Sequence, residues 1–246
     1  MKNTGWLERM TLITGEESMT NLNNAHVMVV GLGGVGSFAA EFIARAGVGK
    51  MTIVDGDVVD PTNRNRQLCA LTSTENKSKA HYMAERIKDI NPEIKLDVIE
   101  EFLSPERAYE IVKPEMDYVV DCIDSLSPKV SLIVGCKHNK VKVVSSMGAG
   151  GKVDPTRIKV TDISKTYHCK LSKQMRVRLK ERQINKGVKA VFSTEQNIKS
   201  SLQMTDGTNF KKSFYGTMSY MPATFGCIAS SVVINHLVKK ANKKKK

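Results

Sequence analysis

Gly31-Leu32-Gly33-Gly34-Val35-Gly36 follows the apolar run His26-Val27-Met28-Val29-Val30 and leads into Val35, Phe38, Ala39, Phe42 and Ile43 at helical spacing. That order predicts a strand, a glycine turn and a helix whose N-terminal amides face a phosphate. G-x-G-x-x-G after a strand fits any dinucleotide-binding fold, and Asp55, about 20 positions on, suits a ribose. The residues downstream narrow the choice. Asn63, Arg66, Gln67 and Lys79 follow in order, and two cations exceed what an NAD enzyme needs to hold a pyrophosphate on amides. The stretch reads as an ATP site.

Working outward, Met51 to Asp55 reads as a second buried strand, and DGDVVDPTNRNRQ, which begins at Asp55 itself, as a polar loop. A helix is expected over Glu75 to Ile90 with Met83, Ile87 and Ile90 inward, ended by Asn91-Pro92. Strands follow at Leu96 to Ile99, Tyr118 to Asp121 and Val141 to Ser145, separated by helices over Pro105 to Val112 and Pro128 to His138. Five strands alternating with helices predict an α/β, Rossmann-like, mostly parallel sheet covered on both faces. Past the flexible Gly148-Ala149-Gly150-Gly151 turn, Lys152 to Thr161 alternates like an antiparallel strand, and Leu171, Met175 and Leu179 share one face of a basic helix. Residues 194 to 216 read as an irregular connector, and a final helix is expected over about Ala223 to Val238. The expected division is a helical lead over 1–24, an adenylating domain over 25–150, an antiparallel and helical extension of the same sheet over 151–240, and a lysine tail over 241–246.

The 246 residues suffice for one well-buried domain. No run approaches the roughly 18 apolar residues that span a bilayer, and MKNTGWLERM has no apolar leader core, so a cytoplasmic protein away from membranes is expected. Five cysteines without a C-x-x-C pair exclude a disulfide framework and a structural zinc. Cys227 falls among core positions of the last helix. The net charge of +13 is localised. Eight cations against Glu181 between residues 170 and 189, and six lysines from Lys239 to Lys246, account for all of it, leaving 24 basic and 24 acidic groups elsewhere. A solvated helix face would also look like this, but such concentration suits a polyanion, and Lys173, Arg176, Arg178, Lys180 and Arg182 are the candidate RNA contacts.

Phosphate chemistry on a carboxylate needs a backbone cradle, cations on the triphosphate, an acid for Mg²⁺ and a ribose anchor. Gly33, Gly34 and Gly36 supply the cradle, Arg66 and Lys79 the charge, and Asp55 the anchor. Asp124, just past the fourth strand, is the expected Mg²⁺ partner, with Asp121 as an orienting acid behind it.

These motifs resemble the adenylating domain of the ubiquitin-activating-enzyme superfamily, which includes the MoeB and ThiF sulfur-carrier activators. The resemblance covers roughly residues 20 to 150 and rests on G-x-G-G-V-G, V-D, N-x-x-R-Q, Lys and D-x-x-D-S in that order. It implies ATP contacts from Gly34, Asp55, Thr62 to Arg66, Lys79, Asp124 and Ser125, and a homodimer in which Arg9 is lent to the neighbouring subunit's ATP. The second half, with MGAGGKVDPTRIKVTDISKT, VFSTE and ATFG, resembles the tRNA threonylcarbamoyladenosine dehydratases. These adenylate the carboxylate of a modified adenosine beside the anticodon, after which an internal nucleophile closes a ring with loss of AMP. The implied partners are ATP, Mg²⁺ and tRNA. A monovalent cation, Na⁺ or K⁺, and a sulfur-transfer or cysteine desulfurase system stay open.

The alternative within the same chemistry is an adenylyltransferase for a ubiquitin-like sulfur carrier, against which the missing C-x-x-C pairs and the concentrated charge both speak. A nucleotide-sensing or RNA-binding protein without turnover is disfavoured by Arg66, Lys79 and Asp124 together. An NAD oxidoreductase lacks a hydride-positioning His or Tyr-x-x-x-Lys. Cys169, flanked by Lys170 and Lys173, is a candidate thioester cysteine only on the logic of a lowered thiol pKa.

Overall fold

All five residues of β1 (His26–Val30) are buried. Val27 and Val29 enter one apolar cluster, Met28 and Val30 another, the alternation expected of a strand covered on both faces. The computed structural model describes residues 5–204 and 213–242; residues 243–246 of the lysine tail lie outside them.

β1 pairs in parallel with β2 (Lys50–Val54) on one side and β4 (Tyr118–Asp121) on the other. β3 (Lys95–Ile99) extends the sheet beyond β2, and β5 (Lys142–Ser146) beyond β4. The chain then adds β7 (Lys189–Ser193) parallel to β5, and β6 (Ile158–Asp162) antiparallel at the edge. The order is β3-β2-β1-β4-β5-β7-β6. The strand order reverses between β1 and β4, which opens a crevice at the carboxyl ends of those strands, where such sheets bind ligands.

On one face, α2 (Glu16–Asn23), α3 (Gly36–Arg45), α4 (Lys79–Ile90) and α8 (Tyr220–Asn242) bury Leu22, Ile43, Met83, Ile87, Phe225 and Val233. On the other, α5 (Pro105–Glu110), α6 (Leu126–His138) and α7 (Lys170–Glu181) bury Ala108, Leu132, Ile133, Met175 and Leu179. α1 (Glu8–Thr14) precedes α2 across Gly15 at φ +80°.

Several expectations need correction. α4 starts at Lys79, not Glu75, because Ser78 caps it by accepting the His81 amide and a 3₁₀ turn occupies Thr72–Thr74. The stretch 194 to 216 is not wholly irregular: β8 (Leu202–Met204) and β9 (Ser213–Tyr215) pair antiparallel, with the residues between them outside those described. α8 begins at Tyr220, three residues early, and with a mean hydropathy of 1.4 it is long and apolar enough to cross a membrane by length and composition, contrary to the expectation that no run comes close. Its buried residues Met221, Phe225, Ala229, Val233 and Leu237 recur every fourth position as a stripe against the domain. Cys227 points away from that stripe and is exposed, not core, since two residues from Phe225 is about half a turn.

Candidate active site

The glycine loop leaves β1 and enters α3 under tight steric limits. Gly31 has φ +85°, and a Cβ there would lie 2.9 Å from the Cys122 carbonyl oxygen on the neighbouring strand. A Cβ on Gly36 would overlap the Gly31 carbonyl, so the helix can begin this close to the strand only without one. Gly34 meets α8 instead: Pro222 and the Arg66 carbonyl oxygen lie 2.9 and 3.1 Å from where its Cβ would be. The Gln67 amide nitrogen is 3.7 Å from the same point on Gly33. α3, α4, α6 and α8 all start at this carboxyl edge, and their N-terminal amides give it a positive potential.

Asp55, just past β2, is fixed before any ligand arrives. Its Oδ2 accepts the Leu32 amide at 2.6 Å and its Oδ1 the Asp57 amide at 2.8 Å. Burial raises its carboxyl above the ordinary value, and those two amides with Lys79 pull it back. The remaining lone pairs can accept ribose hydroxyls. Lys79 is buried at the first position of α4, an unfavourable place for a cation at a helix N-terminus, and its ammonium pairs with Asp57. Asp57 was not singled out from the sequence, although its place two residues after Asp55 was a usable signal. Asn63 is buried and its Oδ1 accepts the Asp60 amide, while Asp60 Oδ1 accepts the Thr62 amide at 2.8 Å. This reciprocal cap shapes the turn that carries Arg66.

Arg66 donates to the Thr62 carbonyl at 3.0 Å and to Asn65 Oδ1 at 2.8 Å. Burial lowers its pKa and the nearby Asp124 carboxylate raises it, so the structure brings these two predicted residues together. Asp124 is exposed and Ser125, the N-cap of α6, is buried beside it. Beneath them lies a fully buried ion pair, Lys129 Nζ to Asp121 Oδ2 at 3.0 Å. Asp121 also accepts the Ser145 hydroxyl at 2.6 Å and the Ile123 amide at 3.1 Å, and Lys129 donates to the Ile123 carbonyl at 2.9 Å. Burial pushes the Asp121 carboxyl up and Lys129 opposes it. Lys129 escaped the sequence analysis, yet a lone cation preceding Val130, Leu132 and Ile133 on a helix was its trace.

Within one copy Arg9 is not brought to this edge. It is exposed on α1, and Leu7 packs on Gly47, beyond the end of α3 remote from the glycine loop. Among the described residues no group of three His, Cys, Asp or Glu is arranged to hold a metal by itself. Asp124 still suits Mg²⁺, which is ordinarily held by one or two carboxylates plus the substrate's phosphates. A cavity of about 440 Å³ at Tyr109, Lys113 and His138 lies at the opposite end of α6 and has no phosphate cradle.

α7 runs beside α6. Cys169 precedes it, near Gly148 at the carboxyl edge, and Gly187 follows it, 3.0 Å from Lys137 Nζ measured to its would-be Cβ. Lys173, Arg178, Lys180 and Arg182 are exposed along it, Arg178 sharing a surface ion pair with Glu181 at 3.7 Å. Arg176 is different, contrary to its expected solvent-facing role. It is half-buried and donates to the Thr166 carbonyl at 2.8 Å and to the Thr166 and Ser172 hydroxyls, which makes it a brace for the turn before α7. Cys169 is 6 % exposed in the apolar cluster under α7. Elsewhere, burial raises the Cys69 and Cys122 thiols to about 11 and about 12, far from the range of a reactive thiolate.

The ThiF family model matches residues 7–246. The tRNA threonylcarbamoyladenosine dehydratase of Haemophilus influenzae is 41% identical over 236 residues, covering 91% of this chain and 90% of that protein. The Bacillus subtilis dehydratase is 39% identical over 94% of both chains. The crystal structure of the Escherichia coli tRNA N6-threonylcarbamoyladenosine dehydratase in complex with ATP superposes with a TM-score of 0.87, at 38% identity and 99% coverage of each chain. Glycine loop, sheet order and a match over nearly the whole length agree, and the chain belongs to the ThiF family.

Proposed function

We propose that this chain is an ATP-dependent tRNA threonylcarbamoyladenosine dehydratase of the cytoplasm. The observation that carries it is the joining of a nucleotide cradle to a cation-lined helix: Gly34, Asp55, Arg66, Lys79 and Asp124 gather at the edge where α7 begins. The substrate carboxylate attacks the α-phosphorus of ATP and pyrophosphate leaves. An internal nucleophile of the same side chain then attacks the acyl carbon, loses its proton and expels AMP, so that one water is lost overall. Arg66 and Lys79 take charge from the phosphates, Asp55 holds the ribose, and the loop amides approach the α- and β-phosphates. Asp124 would hold Mg²⁺, which draws further charge from the phosphates when bound. The test is AMP release from ATP with tRNA that carries threonylcarbamoyladenosine and with tRNA that lacks it; equal release, or none with either, contradicts the proposal.

No enzyme thiol is required, because the acyl-adenylate is attacked from within the substrate. Cys169→Ser is therefore expected to keep most of the cyclising activity. A thioester trapped on Cys169 would overturn that. For Arg9, support comes from its neighbours: Trp6, Leu12 and Ile13 are 48%, 82% and 88% exposed and fall with Arg9 on adjoining positions of the leading helix. A second copy covering that apolar surface, in a homodimer, would bring Arg9 to the other copy's ATP.

RNA backbone contacts fall to the exposed cations of α7. Reversing Lys173, Arg178 and Arg182 to Glu, leaving the bracing Arg176 intact, should weaken tRNA binding and flatten its salt dependence by about 0.7 to 0.9 in log K per log salt for each phosphate no longer neutralised. ATP affinity should stay unchanged. An unaltered salt slope in titrations at two ionic strengths would move the RNA site elsewhere.

A further inference from the structure

Between the nucleotide cradle and α7 the carboxyl edge carries exposed rings that phosphate chemistry does not use. Tyr220 is 41% exposed although it stands two residues before Pro222, which packs on Gly34. Its hydroxyl donates to the Val153 carbonyl at 2.8 Å, which anchors the ring's far end. The Val153 amide in turn donates to buried Glu195 at 3.2 Å, just past the end of β7. One residue earlier, the Thr194 carbonyl lies 3.0 Å from His168 Nδ1. His168 packs edge-on against Tyr167 with ring centroids 5.0 Å apart, and Phe192 backs the same tyrosine at 5.4 Å. Tyr167 remains 46% exposed. A connected line thus runs from the glycine loop through Tyr220, Val153 and Thr194 to Tyr167, ending where Lys170 and Lys173 open α7. Asn65, beside Arg66, donates to the Thr217 carbonyl at 3.0 Å and ties the near end to the ATP loop.

Held rings exposed beside cations suit unpaired bases, which offer a π-face to an aromatic side chain and a phosphate to a lysine. We infer that Tyr220 and Tyr167 stack unpaired bases of the anticodon loop on either side of the reacting nucleotide, with His168 as a positioning residue that keeps the Tyr167 ring in place. This rests on the tRNA proposal above. It assigns these rings loop recognition and α7 the backbone.

The test is fluorescence anisotropy of a labelled anticodon stem-loop RNA at two salt concentrations, with wild type, Tyr220→Leu, Tyr167→Leu and the corresponding phenylalanine variants. Each leucine variant should bind roughly five- to a hundredfold more weakly with an unchanged salt slope, since stacking releases no counterions. The phenylalanine variants should bind within about twofold of wild type, on the same stacking basis. Leucine variants that match a wild type showing salt-dependent binding would overturn the stacking row and leave the tRNA proposal standing. A wild type that binds no RNA would sink the tRNA proposal and the row with it. A second measurement needs no variant: RNA should protect Tyr167 and Tyr220 of the wild type from tetranitromethane nitration, read by peptide mass spectrometry, and equal nitration with and without RNA overturns the assignment.

Discussion

Asp124→Ala is expected to lower turnover by about two to three orders of magnitude, because loss of a metal anchor removes several kcal/mol of transition-state stabilisation and each 1.4 kcal/mol is tenfold in rate. The fold should survive. Asp124 is exposed and accepts the Ser125 hydroxyl at 3.5 Å, whereas the buried hydrogen bonds beneath it join Asp121, Ser145 and Lys129. The loss should appear in kcat at saturating ATP, with the melting temperature close to that of wild type. A variant that turns over within a few-fold of wild type would remove Asp124 from the reaction.

The largest effect on stability is expected at Lys129. Removing one partner of a buried ion pair leaves the other charge uncompensated, at a cost of about 3–5 kcal/mol, and both side chains here are wholly inaccessible. Lys129→Met should lower the unfolding free energy measured in urea by that amount. Pairing it with Asp121→Leu should recover much of the loss, since a buried pair replaced by apolar groups is often neutral. Recovery should not extend to activity, because the Ile123 carbonyl has lost the ammonium that holds it, and Asp124 is the next residue. A single variant that costs under about 1 kcal/mol would show the pair to be incidental.

Local patterns were legible; placements that depend on distant chain were not. The run into Gly31 and the spacing of α3 settled strand, turn and helix, because glycine at those positions answers to sterics inside a six-residue stretch. β7 went unread: Val188, Ala190, Val191 and Phe192 form a short run broken by Lys189, and the partners that make it a strand, β6 and β5, lie about 30 and about 45 residues earlier. Arg176 looked like its neighbours on α7 until Thr166, ten residues back, appeared beside its guanidinium. Lys129 was passed over for the same reason, its partner Asp121 lying on a strand. In the candidate site, the order of Asp55, Arg66, Lys79 and Asp124 in the sequence was enough to nominate them. Pro222 and Tyr220 were not nominated, since the approach of α8 to the glycine loop is a tertiary fact with no local signal.

The most direct test of the account is to incubate the protein with ATP, Mg²⁺ and bulk tRNA, digest the RNA and measure nucleoside masses. Threonylcarbamoyladenosine should disappear and a product lighter by one water should replace it, only when ATP is present. Unchanged threonylcarbamoyladenosine in the presence of ATP, with protein shown to bind both ATP and tRNA, would contradict the proposed dehydration.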